Sequence, residues 1–362
     1  MNRIILVGNG FDLAHGLKTR YEDFINWYFE QLKKTLAYCN YTNYEDALCK
    51  LHINVTEIGA ISWRDFLRPY IHSIFKMSVD EFLNYIDYHR KQGNIKVEFS
   101  SLLKRISKAI STKRWVDIEA DYYELLKDCP DLNENVVANL QQSLKYIQEK
   151  LAEYLLCVQD SATDNIKVVI REIINESIIG RDISQYALNH IINLEEDRIY
   201  PVDESLILDF NYTNTTDLYH NNVIHIHGKL DEPLSIIFGY GDELDEHYKK
   251  LSNLNDNRYL TNMKSIRYLE SGNYRDLLRF INAAPYQIYI MGHSCGNSDR
   301  TLLNTLFEHE NCVSIKPFYY QKDEEHDNYS EITQNISRNF TDMQSFRDKV
   351  VDKTKCELMP QI

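Results

Sequence analysis

With 362 residues, 43% of them hydrophobic and 26% charged, the chain has the composition of a folded protein with a substantial core, outside the regime of disordered chains. Its formal net charge of -14 argues against general affinity for nucleic acid, which depends on Lys and Arg displacing counterions from phosphates, although a local basic patch stays open. Seven cysteines scattered without a C-x-x-C pair exclude a zinc ribbon and fit reduced thiols.

The first element is a strand. Ile4 to Val7 is a short continuous apolar run, the pattern of a strand buried on both faces; it is too short for a secretory signal and turns at once into a glycine loop. No other segment reaches the roughly 18 apolar residues a membrane span needs, so the expectation is a cytoplasmic protein without membrane association. Thr19 and Glu22 have capping-box spacing and predict a helix carrying Phe24, Ile25, Tyr28, Phe29, Leu32 and Leu36.

From about residue 40 to 200 the period is helical, glycine is sparse and no strand is predicted. The clearest stripe is Val137, Leu140, Leu144, Ile147, Leu151 and Leu155. Further helices are expected from Ile166, Val169, Ile170, Ile173 and Ile174, and from Ile183, Tyr186, Ala187, His190, Ile191 and Leu194. After Pro201 short apolar runs predict strands at 206–210, 223–226, 236–238, 288–291 and 313–315. Leu302, Leu303, Leu306 and Phe307 mark a helix starting near Ser298, and Ile332, Ile336, Phe340, Met343 and Phe346 a C-terminal helical stretch.

Strand-loop-helix alternation implies an α/β fold with a mostly parallel sheet and helices on both faces. Residues 1–38 and 201–362 would form it, with 39–200 as a large all-helical insertion. The polar segment from Gly241 to Asn262 reads as a solvated loop or as a lid.

Glycine is scarce, 12 of 362 residues, and Gly8, Gly10, Gly16, Gly228, Gly239, Gly241, Gly292 and Gly296 follow predicted strands. Ligands of open α/β sheets bind at the carboxyl ends of strands, where glycine lets backbone approach a phosphate. The first cluster misses the G-x-G-x-x-G dinucleotide fingerprint, because Leu13 takes the third glycine's place. A tight turn without a ligand accounts for it equally well.

Asn211 and His227 each end a predicted strand and could meet on one edge of the sheet, where His227 could act as a general base or serve only the core. His225 and His227 at alternate positions could share a metal, but no third ligand at a recognisable spacing follows, so no metal is expected. Ser298 and Asp299 have the residue types of helix caps, while Gly292 and Ser294 are placed to meet a ribose or phosphate.

These motifs carry a resemblance. Leu6-Val7-Gly8-Asn9-Gly10-Phe11-Asp12-Leu13-Ala14-His15-Gly16-Leu17, Tyr21-Glu22-Asp23-Phe24, Asp209-Phe210-Asn211-Tyr212-Thr213, Ile226-His227-Gly228, Phe238-Gly239-Tyr240-Gly241-Asp242-Glu243 and Gly292-His293-Ser294 resemble the bacteriophage abortive infection protein AbiH family. More distantly, four of them are similar in order to the sirtuin-like NAD-binding fold, which implies a Rossmann-like sheet. In that resemblance Asn211 takes the place of the catalytic asparagine and His227-Gly228 that of the catalytic His-Gly. Gly8, Asn9, Gly10, Phe11, Gly16, Gly228, Gly292 and Ser294 take the nucleotide-contacting positions.

Asp12 stands for the sirtuin serine, Asp209 for a threonine and Thr213 for an acidic residue, and the zinc-ribbon cysteines are absent. These departures speak against protein deacylation. The resemblance implies antiphage defence with NAD as substrate or ligand, cleaved to nicotinamide and ADP-ribose. Asn211, His227 and Asp12 would be the catalytic residues, with Asp12 stabilising positive charge at the ribose. The rival is a non-catalytic, nucleotide-gated sensor that signals to a partner; a nuclease-type toxin fits poorly, since no metal-carboxylate cluster stands out. A phage-derived or host protein as trigger, and a homo-oligomer, are compatible with either.

Overall fold

A computed structural model describes residues 1–112, 117–129, 134–159, 168–191 and 193–361. Contacts divide the chain into two compact units, one of Met1–Thr19 with Leu155–Ile362 and one of Arg20–Tyr154.

Ten strands are described: β1 Asn2–Val7, β2 Asn43–Glu45, β3 Cys49–Ile53, β4 Ile95–Phe99, β5 Ile178–Ile179, β6 Ile199–Tyr200, β7 Ser205–Asp209, β8 Val223–His225, β9 Tyr286–Met291 and β10 Cys312–Phe318. The first unit is built on a five-stranded sheet of order β10-β9-β1-β7-β8 in which every pairing is parallel. The fold class is therefore mixed α/β.

Alternate residues of these strands feed opposite cores, which is why the strands read as unbroken apolar runs. Ile4 and Leu6 join Leu208, Ile288, Leu303 and Phe307 on one side. Ile5 and Val7 join Phe11, Ile170, Ile174 and Met291 on the other.

One face also holds a polar layer. The buried Arg3 guanidinium donates to the carbonyls of Ile174 (3.2 Å) and Glu176, to Gln287 Oε1 (3.0 Å) and to the Tyr289 hydroxyl (3.1 Å). Lys316 lies 3.0 Å from Glu357 and 4.0 Å from both Glu176 and Asp182.

Two expectations are corrected. The segment 39–200 is not all-helical: β2, β3 and β4 form an antiparallel sheet in the second unit, and β5 pairs with β6 in the first. The burial of β3 alternates residue by residue, with Lys50 and His52 outward, so five residues of period two lay hidden among helical repeats. Residues 236–238 are buried but irregular, because Ile237 N–H bonds outside any ladder, to the His227 carbonyl (2.9 Å).

The helix after the first loop is Tyr21–Tyr38, capped by Arg20 and Asp23, while the Thr19 hydroxyl turns to Asn9. Helix Glu134–Gln159 buries the expected stripe. Helix Val168–Asn175 holds Ile170, Ile173 and Ile174, with Ile166 outside the described residues. Among the described residues no helix is long and apolar enough to cross a membrane.

Candidate functional site

Strand register alone assembles the carboxyl edge of the sheet. Val7 of β1 sits opposite Asp209 of β7 and Met291 of β9, and Asp209 sits opposite His225 of β8. The loops carrying Gly8, Asn211, His227 and Gly292 therefore begin side by side. The chain runs outward from β1 through β7 and β8, then returns to β9 on the other flank of β1, so the sheet reverses direction at this edge. Such reversals open the crevices in which α/β proteins hold ligands.

The loops after β1 and β9 lock together. Gly10 N–H donates to the Gly292 carbonyl (2.8 Å), and a Cβ on Gly10 would lie 2.8 Å from Gly292 Cα. Gly292 has φ +77°, and its own Cβ would lie 2.2 Å from Phe11 N, so glycine is obligatory there. A Cβ on Gly8 would meet His293 backbone at 2.7 Å. These glycines thus serve loop-on-loop packing before any ligand.

Of the other expected contacts, Gly16 follows the short helix Asn9–Ala14, Asn9 accepts the Thr19 hydroxyl, and Gly228 packs against Ser235. Phe11 packs in the core against His15 and Tyr219, and Ser294 is exposed. The segment after Gly241 is not a plain loop. It holds a helix, Glu246–Ser252, and is anchored by the buried Asp242, whose carboxylate is 3.3 Å from Arg300.

Two acids lie fully buried at the edge. Asp12 accepts the Thr213 hydroxyl at 2.7 Å, and its Oδ1 is a buried oxygen without a hydrogen-bond partner among the described residues. Burial pushes its pKa up to about 6, against the opposing hydrogen bonds of Thr213 and Thr215. Asp209 accepts the Thr216 hydroxyl and the Asn211 N–H (2.8 Å) and is pushed well above the carboxylate range, first by burial and further by Asp12. The Asn211 carboxamide nitrogen donates to the Gly8 carbonyl at 3.1 Å, tying β7's loop to β1's.

His227 sits at the centre of a second cluster. Its Nδ1 lies 3.2 Å from the Phe210 carbonyl, and its Nε2 lies 3.3 Å from the Tyr268 hydroxyl and 3.1 Å from Asp299 Oδ1. Lys264, fully buried, donates to the same Asp299 oxygen at 2.9 Å, and His293 Nε2 is 3.7 Å from the other. Burial and the Lys264 charge hold His227 below the usual histidine pKa, which keeps the ring neutral. Burial alone would raise Asp299, but Lys264 and His227 hold it well below the carboxylate range.

Asp299 occupies the N-cap position of helix Arg300–Glu308 yet makes no side-chain cap bond. Its carboxylate is spent inward. Sequence reasoning missed Asp299 as a site residue, together with Lys264, Asp209 and His293. The signal available for the last two was adjacency to Asn211 and Gly292; for Lys264 there was none.

His225 and His227 do not form a metal pair. His225 Nε2 lies 2.9 Å from Asp217, and its Nδ1 is 3.5 Å from Asp209, whereas His227 faces Asp299. No group of three or more His, Cys, Asp or Glu is placed to hold a metal ion among the described residues.

The edge thus gathers buried acids, neutral imidazoles and a buried lysine around a topological reversal. Burying such groups costs several kcal/mol, a cost characteristic of functional sites. Among family models, that of the bacteriophage abortive infection AbiH proteins matches residues 4–321. Neither the curated proteins nor the solved structures include a match to the chain.

Proposed function

Because the chain belongs to the bacteriophage abortive infection AbiH family, we propose that its carboxyl-edge cluster is a nucleotide site that binds NAD and hydrolyses it to nicotinamide and ADP-ribose during antiphage defence. One observation carries this reading: a set of buried ionisable groups converges where the sheet reverses beside β1. Counted in chain order within the sheet, β8-β7-β1-β9-β10 reads 3-2-1-4-5, the order of Rossmann-like dinucleotide-binding sheets. That order also supports the likeness to the sirtuin-like fold.

In this reading the pyrophosphate lies along Gly8, Asn9 and Gly10 and near Gly292 and Ser294. The bond between ribose C1′ and the nicotinamide nitrogen breaks, and its electron pair leaves with nicotinamide. The positive charge left on the ribose is stabilised by Asp12, which is ionised above about pH 6. Water adds at C1′ and gives up a proton to His227, which is neutral and so able to accept it. The Asn211 carboxamide oxygen is the acceptor for a ribose hydroxyl, since its nitrogen is committed to Gly8.

Chromatography of NAD incubated with purified protein tests the proposal. Nicotinamide release should fall by about 10² to 10⁴ in His227→Ala and strongly in Asn211→Ala. Full activity in both variants rejects the assignment.

A second reading has its own support. The Asn211 amide and both nitrogens of His227 already face protein groups, an arrangement suited to holding a shape. In that case the pocket is a nucleotide-gated sensor that signals to a partner, and calorimetry would find NAD binding without nicotinamide release.

A further inference from the structure

His227 faces two oxygen acceptors and Tyr268. The Phe210 carbonyl lies 3.2 Å from Nδ1 and the Asp299 carboxylate 3.1 Å from Nε2. A neutral imidazole carries one N–H, so it can donate to only one of them. A carboxylate is the stronger acceptor, because a charge-assisted hydrogen bond is roughly twice as strong as a neutral one.

We infer that Asp299 is the positioning residue of His227: it fixes the ring as the Nε2–H tautomer, leaves Nδ1 as the basic nitrogen, and is itself held as a carboxylate by Lys264. The position of Lys264 agrees. Lys264 donates to the very oxygen that faces Nε2, at 2.9 Å, and both side chains are buried, so solvent does not screen the pair.

His293 is oriented separately. Its Nδ1 accepts the Cys295 N–H at 3.0 Å, which puts its proton on Nε2, pointed at the second Asp299 oxygen 3.7 Å away. The groups facing His227 are then Lys264, Asp299, His293 and Tyr268. Lys264 opposes a second proton on the ring, and Asp299 dictates where the single proton sits. Helix Arg300–Glu308 thereby forgoes its side-chain cap.

The inference deepens the reading of His227 as the base and rests on it only for the effect on turnover; its test needs no NAD. Nitrogen NMR of ¹⁵N-histidine-labelled protein reads the tautomer directly, with the His227 signals assigned by their loss in His227→Gln. The native protein should show an Nε2–H ring. Asp299→Ala should show an Nδ1–H ring that donates to Phe210.

Should Asp299→Ala fail to fold once Lys264 has lost Asp299, the double variant Asp299→Ala/Lys264→Met removes both charges and should show the same tautomer exchange. In Lys264→Met alone, the proton affinity of His227 should rise about tenfold, one pKa unit. An Nδ1–H ring in the native protein, or the same tautomer with and without Asp299, overturns the inference. If native protein leaves NAD intact while the tautomer exchange is seen, the NAD hydrolysis reading fails and this inference stands.

Discussion

Two buried polar clusters share one sheet and differ in how their charges are answered. Around Arg3 and Lys316, cations meet carbonyls, a carboxamide and carboxylates, and the groups bind the sheet to residues 174–182 and to Glu357. At the carboxyl edge, Asp12 and Asp209 are answered by threonine hydroxyls and backbone, one Asp12 oxygen has no hydrogen-bond partner among the described residues, and both pKa values are pushed up. The first arrangement answers its cations with carbonyls and opposite charge and acts as scaffold, although Arg3 Nε too lacks a hydrogen-bond partner among the described residues and burial lowers the Arg3 pKa. The second leaves its acids without opposite charge, the mark of a site held ready for something else.

The sharpest way to break that distinction is through Arg3. Arg3→Met strands two carbonyls and Gln287, and it should cost about 3 kcal/mol or more in urea unfolding, with NAD binding per folded molecule unchanged. Loss of nucleotide binding in the folded fraction would merge the two clusters into one.

Asp12 should act in the opposite sense. Its carboxyl is raised from 3.8 to about 6 in the folded chain, so the stability it contributes is fully present below about pH 3.8 and is lost as pH rises through about 6. Asp12→Asn should therefore gain about 2 kcal/mol on the native protein at pH 8 relative to pH 4, measured by paired denaturant titrations. A stability difference that does not move with pH would place Asp12 among the scaffold acids.

The mildest test lies within one loop. Gly292→Ala puts a methyl into Phe11 backbone at a left-handed φ and should cost about 2 kcal/mol. Gly296→Ala meets only the Ser294 hydroxyl at 3.6 Å and should change stability by less than about 0.5 kcal/mol. Equal costs would contradict the loop-on-loop packing at Gly292.

The legibility of this chain followed the same physics. The sheet strands near Ile4, Leu206, Ile288 and Ile315 were readable because strands buried on both faces are unbroken apolar runs. The second unit's sheet was not, because β3 shows water a lysine and a histidine and spans only five residues. Glycine placement led to the carboxyl edge of the sheet, where Asn211 and His227 lie. The reason differed, since Gly10 and Gly292 make room for each other. Asp299 was read as a cap because its residue type and position fit one; its true partners, Lys264 and His227, come from distant parts of the chain that only the fold unites.

The place of β1 has a consequence for biosynthesis. This strand ends at Val7 but pairs with β7, which starts at Ser205, and with β9, which starts at Tyr286. During translation it waits beside no partner while the contacts of Arg20–Tyr154, which are internal to that unit, can already form. Closing so long a loop costs little in equilibrium, about 0.6 kcal/mol per doubling of length, but it slows the pairing. The acids and histidines of the carboxyl edge meet only after the ribosome has passed Asp299, so a chain interrupted earlier carries the pieces of the site without the site.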